Sequence, residues 1–291
     1  MKKYTLLVLA AGTLWGFMGF FVNKLAVLGI DSTGAVMVRC GVAALCFGVT
    51  IALKNPKLFR VKLRDIWCFI GSGIFSLLFF TYCYFTSMNY IDLSTAAILL
   101  YTAPSIVMVI SFFVFGEKFS RNKVLALVMA FAGCILVSGM GSAAIPAKGF
   151  LLGLGAGLGY ALFSIFARFS LNRGYDSLTI NFYSCLLAAA GAMIIWGPVP
   201  TLEICFSSGS NMLWCLATGF VSCFLPYLFY TLGLSGMETG RASILASLEP
   251  VVATLVGIFI FAQPLSLMSA AGVALVLGAI VVLNIKPKEK V

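Results

Sequence analysis

The chain has 291 residues, 62% of them apolar and only 10% charged, with a formal net charge of +10. A soluble domain carries roughly 25% charged residues, and the mean hydropathy here is +1.09. These values exclude a water-soluble enzyme, a disordered chain and a disulfide scaffold, and they leave an integral membrane protein.

A helix needs ~20 apolar residues to cross a hydrocarbon core of ~30 Å. Ten such stretches are legible, at about 4–22, 34–53, 66–88, 94–115, 124–140, 149–171, 177–196, 213–234, 241–261 and 267–284. They are continuous and lack the two-residue alternation of barrel strands, so the expected fold class is all-α. The first follows Lys2-Lys3 and is too long for a cleaved signal peptide. In it, Gly12 and Gly16 flank Trp15, eleven residues deep. A buried indole N–H needs a partner, so Trp15 is a candidate cavity residue rather than an interfacial anchor.

Span two carries Arg39 about five residues from its outer end, or ~7–8 Å deep. That depth allows the guanidinium to snorkel, to pair with a carboxylate, or to face a pathway. Span four has Tyr101 three residues before Pro104. Span six contains Gly153, Gly155, Gly157 and Gly159, a small-residue face for close helix approach. No strand precedes these glycines, so they form no nucleotide fingerprint. Tyr160 follows them at the same depth as Trp15, and span eight places Tyr227 beside Pro226.

Span nine holds Glu249, eight residues beyond Arg241 and therefore ~12 Å along the helix. A charge near mid-membrane costs at least ~2.5–3.5 kcal/mol, so this carboxyl is protonated, paired or facing water. The stripe Ala242, Ala246, Ala253, Gly257 turns its helix face toward the bundle. Pro250 deprives the Ala246 carbonyl of its usual donor. Glu249 is the candidate proton-coupling group, the alternative being a protonated carboxyl that bonds its helix to a neighbour. Pro104, Pro226 and Pro250 are candidate hinges or else packing kinks. The nine cysteines lie mostly in apolar runs without CxxC spacing, and the chain has no histidine. They read as small hydrophobes, with no metal site and no disulfide signature.

With the N-terminus inside, sixteen Lys and Arg fall on the inner loops and two, Lys24 and Lys148, on the outer ones. Cytoplasmic loops retain positive charge, so both termini are expected in the cytoplasm. Anionic lipid then accounts for the net charge, and no nucleic acid partner is implied. The sequence also repeats at half its length. Ala97–Pro104 aligns with Ser243–Pro250 at an offset of 146, which pairs Tyr84 with Tyr230 and Asp92 with Glu238. At 145, Asp31-Ser32 meets Asp176-Ser177, and Cys40 meets Cys185. Five spans per unit is odd, so the two units, 1–142 and 143–291, should be inverted. Inverted repeats about a midplane site suit alternating access.

Leu14-Trp15-Gly16, Val38-Arg39, Ala103-Pro104 through Gly116-Glu117, Leu248-Glu249-Pro250-Val251 through Phe261, and Gly272 with Gly278 together resemble the EamA family of the drug/metabolite transporter superfamily. The resemblance covers the whole chain. It implies a secondary transporter, active or facilitative, in the cytoplasmic membrane; no cofactor is expected, and the working unit is a monomer or a homodimer. A Gly-Glu pair typically closes the fourth helix of both family halves; Gly116-Glu117 keeps it and Ala262-Gln263 does not. The expected cargo is a small organic solute such as an amino acid, an amine or a quaternary ammonium like choline. It would be bound by Trp15, Tyr101, Tyr160, Tyr227 and Glu249, with protons as a second partner. A sugar-phosphate or nucleotide-sugar antiporter has the same fold but should need several deep basic residues, and Arg39 stands alone. A membrane enzyme would want histidine or paired carboxylates, which the sequence lacks.

Overall fold

Backbone in lipid has to satisfy its hydrogen bonds within its own segment, so the apolar runs fold as helices. The structure is a computed structural model that describes residues 2–91, 93–138, 146–262 and 266–285. Asp92, the 142/143 junction, Gln263 and the basic tail residues Lys286, Lys288 and Lys290 lie outside the described residues. Nine segments among those described are long and apolar enough to cross a bilayer. They are α1 (Lys2–Val27), α2 (Ser32–Lys54), α3 (Leu63–Ser87), α4 (Thr95–Phe115), α6 (Ala147–Asn172), α7 (Ser177–Trp196), α8 (Gly209–Leu234), α9 (Thr239–Phe261) and α10 (Leu267–Asn284). Between α4 and α6 lies α5 (Arg121–Ser138), an 18-residue helix packed along α10.

Local chemistry sets the ends. Asp31 accepts the Gly34 N–H at 2.7 Å and caps α2, and Asp176 accepts the Leu178 N–H at 2.8 Å and caps α7. Such caps satisfy donors that the first helical turn leaves free. Gly116 closes α4 in the left-handed conformation at φ +67°, and Ala262 closes α9 at φ +53°. Glycine takes that conformation freely, whereas alanine is strained in it.

Several helices are interrupted at depth. α1 breaks at Phe17, α4 at Tyr101-Thr102 and α9 at Ser247-Leu248. Pro104 and Pro250 are each the second residue of the helical segment that follows the last two breaks. Wide π-turns run through Gly71–Leu78 of α3 and Phe220–Phe224 of α8. The packing is reciprocal. α1 lies against α8 and α9, α6 lies against α3 and α4, α2 pairs with α7, and α5 pairs with α10.

Glycines permit the closest of these contacts. A Cβ at Gly159 would sit 2.9 Å from the Phe80 backbone, and one at Gly16 would sit 2.9 Å from the Glu249 carbonyl. Between α5 and α10, Gly133 and Gly272 face each other: a Cβ at Gly272 would lie 2.6 Å from the Gly133 oxygen. Backbone on both sides leaves little room to yield. Gly272→Ala is therefore expected to cost about 1–3 kcal/mol, measured as a lower melting temperature in detergent.

Candidate functional site

Three deep aromatics, one each from α1, α6 and α8, meet near the centre of the bundle. The Trp15 ring, 5% exposed, lies 5.2 Å from Tyr227 and 6.2 Å from Tyr160, both edge-on. Edge-to-face packing of this kind suits aromatic quadrupoles. Tyr230 stands three residues beyond Tyr227 on the same helix face, 5.3 Å from Trp15. Its hydroxyl lies 2.6 Å from Ser164 Oγ. With Ser76, Phe80, Phe163, Ser243 and Ala246 these residues line a cleft of about 10 Å³, room for roughly one water. Its walls are aromatic faces and hydroxyls, and no ionisable group other than tyrosine is among its lining residues.

Glu249 opens the second segment of α9, where the amino end of a helix favours negative charge. Its Oε2 accepts the Tyr160 hydroxyl at 2.9 Å, so the carboxyl is held behind a wall of the cleft. Tyr101 is elsewhere. It packs with Cys134, Leu248, Val251 and Val276 on the α5–α10 side and is not among the lining residues.

Arg39 finds hydroxyl and carbonyl oxygens instead of a carboxylate. Its Nε donates to Ser222 Oγ and its Nη2 to the Ser222 carbonyl, both at 3.1 Å. Ser222 lies four residues before Pro226, which has no N–H to offer that carbonyl. The guanidinium thus replaces a backbone donor at the π-turn of α8.

Two further groups escape a reading from sequence alone. Asn181 of α7 is fully buried and donates to the Tyr227 carbonyl at 3.1 Å and to Thr231 Oγ1 at 2.8 Å. It fixes the turn that carries Tyr227. The second is a polar cluster at the end of the bundle. Glu117 accepts the N–H groups of Thr239 (2.5 Å) and Gly240 (3.0 Å) at the start of α9. Arg168 donates to Thr239 Oγ1 at 2.9 Å, to the Leu234 carbonyl at 2.8 Å and to the Met237 carbonyl. Lys123 pairs with Glu238 at 2.6 Å. Tyr230 had a sequence signal, the three-residue step from Tyr227, whereas the partners of Glu117 had none.

Comparison with known proteins agrees with this architecture. The model of the EamA-like transporter family matches residues 2–139 and again 147–285. A protein of Archaeoglobus fulgidus named "uncharacterized transporter" is 27% identical over 95% of this chain and 96% of its own. The uncharacterized transporter YwfM of Bacillus subtilis is 24% identical over 99% and 95%. One crystal structure superposes with a TM-score of 0.82 at 18% identity, covering 98% of this chain and 97% of its own. At that identity the likeness shows the fold. With family matches across both halves and nine apolar spans among the described residues, this multi-pass protein of the cell membrane belongs to the EamA-like transporter family.

Proposed function

We propose that the chain is a secondary transporter, carrying a small organic solute with amine, zwitterionic or quaternary ammonium character by alternating access. The observation that carries this reading is the aromatic and hydroxyl cleft at the meeting of α1, α3, α6, α8 and α9, with Glu249 bonded to Tyr160 at its wall. Aromatic faces attract a cation by about 0.5–2 kcal/mol. Hydroxyls can orient the polar end of the same molecule, with the Glu249 carboxyl acting on it through the Tyr160 hydroxyl. A phosphate would want basic groups, and Arg39 is engaged with Ser222.

The mechanism is ten helices in two inverted halves, 1–142 and 143–291, with both tails cytoplasmic. Reciprocal packing supports it, as do the matched breaks before Pro104 and Pro250 and the matched π-turns of α3 and α8. A cleft of one-water size means that the helices must part to admit solute. Pro104, Pro226 and Pro250 serve as the hinges, and Glu249 exchanges the coupling proton. Trp15, Tyr160 and Tyr227 contact the solute, with Tyr101 backing the α4 break. No metal or cofactor takes part, and a monomer suffices.

A thermal-shift screen with amino acids, amines, quaternary ammonium compounds and sugar phosphates tests the solute class. A ligand at 100 times its Kd stabilises by about 2.7 kcal/mol. The expected result is a rise in melting temperature for one amine-bearing class, together with altered tryptophan fluorescence that Trp15→Phe removes. A response to sugar phosphates alone overturns the solute class. Failure of every class, with no uptake into proteoliposomes, overturns transport.

A further inference from the structure

The connection between α7 and α8 folds back as a short helix, Val199–Phe206, before α8 begins at Gly209. The fold-back brings two cysteines together, with the sulfurs of Cys205 and Cys215 3.2 Å apart. Both are buried, in an apolar cluster with Leu25, Ile30, Ala35 and Val38 from α1, α2 and the link between them. An S–S bond is ~2.05 Å long, so joining the pair asks for about 1 Å of side-chain movement. No Lys or Arg occurs between Arg173 and Arg241. A loop without positive charge belongs on the face away from the cytoplasm, where thiols meet an oxidising environment.

We propose that Cys205 and Cys215 are an oxidation site, joined as a disulfide that staples the outer helix Val199–Phe206 to the start of α8. The oxidant is a protein or small-molecule disulfide. One cysteine, as its thiolate, attacks a sulfur of that disulfide; a mixed disulfide forms and one oxidant thiolate leaves. The second cysteine thiolate then attacks the first cysteine's sulfur and expels the other oxidant thiolate. Two electrons pass from the cysteine pair to the oxidant, and the two protons lost by the cysteines end on the released thiols. The bond closes a loop of about ten residues, which restricts the unfolded segment.

The staple also holds a cover in place. A Cβ at Gly34 would stand 2.6 Å from Thr201 Oγ1, and one at Gly29 would stand 3.7 Å from Ile204 Cδ1. The short helix therefore rests on the turn between α1 and α2. The disulfide fixes this outer cap whatever solute is carried. The proposal depends on the orientation given by the positive charges and not on transport.

Thiol counting in membranes tests it. Cells producing the full chain are lysed in an alkylating agent, and the membranes are denatured and labelled with a polyethylene-glycol maleimide before and after reduction. Of the nine cysteines, the expected result is two that label only after reduction. Cys46→Ser keeps this two-thiol difference, while Cys205→Ser and Cys215→Ser each abolish it. Reduction of the purified protein is expected to lower its melting temperature by about 5 °C. Should a serine variant fail to accumulate, chymotryptic mapping of the parent chain decides, because peptides cut after Phe206 and Trp214 remain joined. Labelling that reduction leaves unchanged, or a difference that survives Cys205→Ser, overturns the proposal.

Discussion

Glu249→Gln is expected to reduce proton-driven solute accumulation in proteoliposomes by roughly tenfold or more, while solute exchange at equal pH on both sides persists. Glutamine keeps the shape of the side chain and an oxygen able to accept the Tyr160 hydroxyl, now at 2.9 Å from the carboxyl. What it removes is the group that gains and loses a proton. Replacing an ionisable residue at depth by a neutral one lowers the cost of burial, so the variant should melt no lower than the parent. Loss of accumulation at undiminished stability then reports on coupling rather than folding. Tyr160→Phe provides the companion measurement: it leaves the carboxyl ionisable but takes away its donor, and should weaken both accumulation and exchange. Accumulation that survives Glu249→Gln removes Glu249 from the coupling mechanism. The first half offers no substitute, since Ala103 occupies the matching position at the break of α4.

The parts of this arrangement legible in the sequence are those set by distance along a helix. Trp15 and Tyr160 share a depth and Tyr227 lies about fourteen residues into its own span, so depth together with small-residue faces points all three toward the middle of the bundle. Glu249 was legible for the same reason, because its distance from Arg241 measures its height in the bilayer. Partners across the bundle were not legible. Arg39 invites a carboxylate, yet it bonds Ser222. The clue lay in Pro226, which leaves the carbonyl four residues earlier without its helical donor. Tyr101 has the depth and the neighbouring proline of a cavity residue but packs toward Cys134 and Val276. Which face a helix presents below a break depends on the bend at the break, and no periodicity reports that bend. Cys205 and Cys215 lie ten residues apart on either side of a fold-back, a spacing that carries no signature without the turn itself.

Glu117→Ala is expected to open the α9 end of the bundle by about 2 kcal/mol, or roughly thirtyfold in the balance of closed and open forms. The carboxylate accepts two backbone N–H groups at the start of α9, where charge-assisted bonds and the positive end of the helix reinforce one another. Thr239 is fully buried, so alanine would strand its N–H out of water. That penalty falls only on the closed form, since an open one lets water reach the same groups. The surrounding loops carry Lys118, Arg121 and Arg173, so in the orientation proposed above this end is the cytoplasmic gate of the cycle. Hydrogen–deuterium exchange separates a gate from a simple cap. Opening raises exchange at Thr239–Ala246 and also at the cleft, around Tyr160–Ser164, whereas fraying of a capped end raises it over the first turn of α9 alone. Glu117→Gln, which keeps one acceptor oxygen and loses the charge, should fall between parent and alanine at both places. Exchange confined to the first turn in both variants would leave Glu117 as a helix cap and no more.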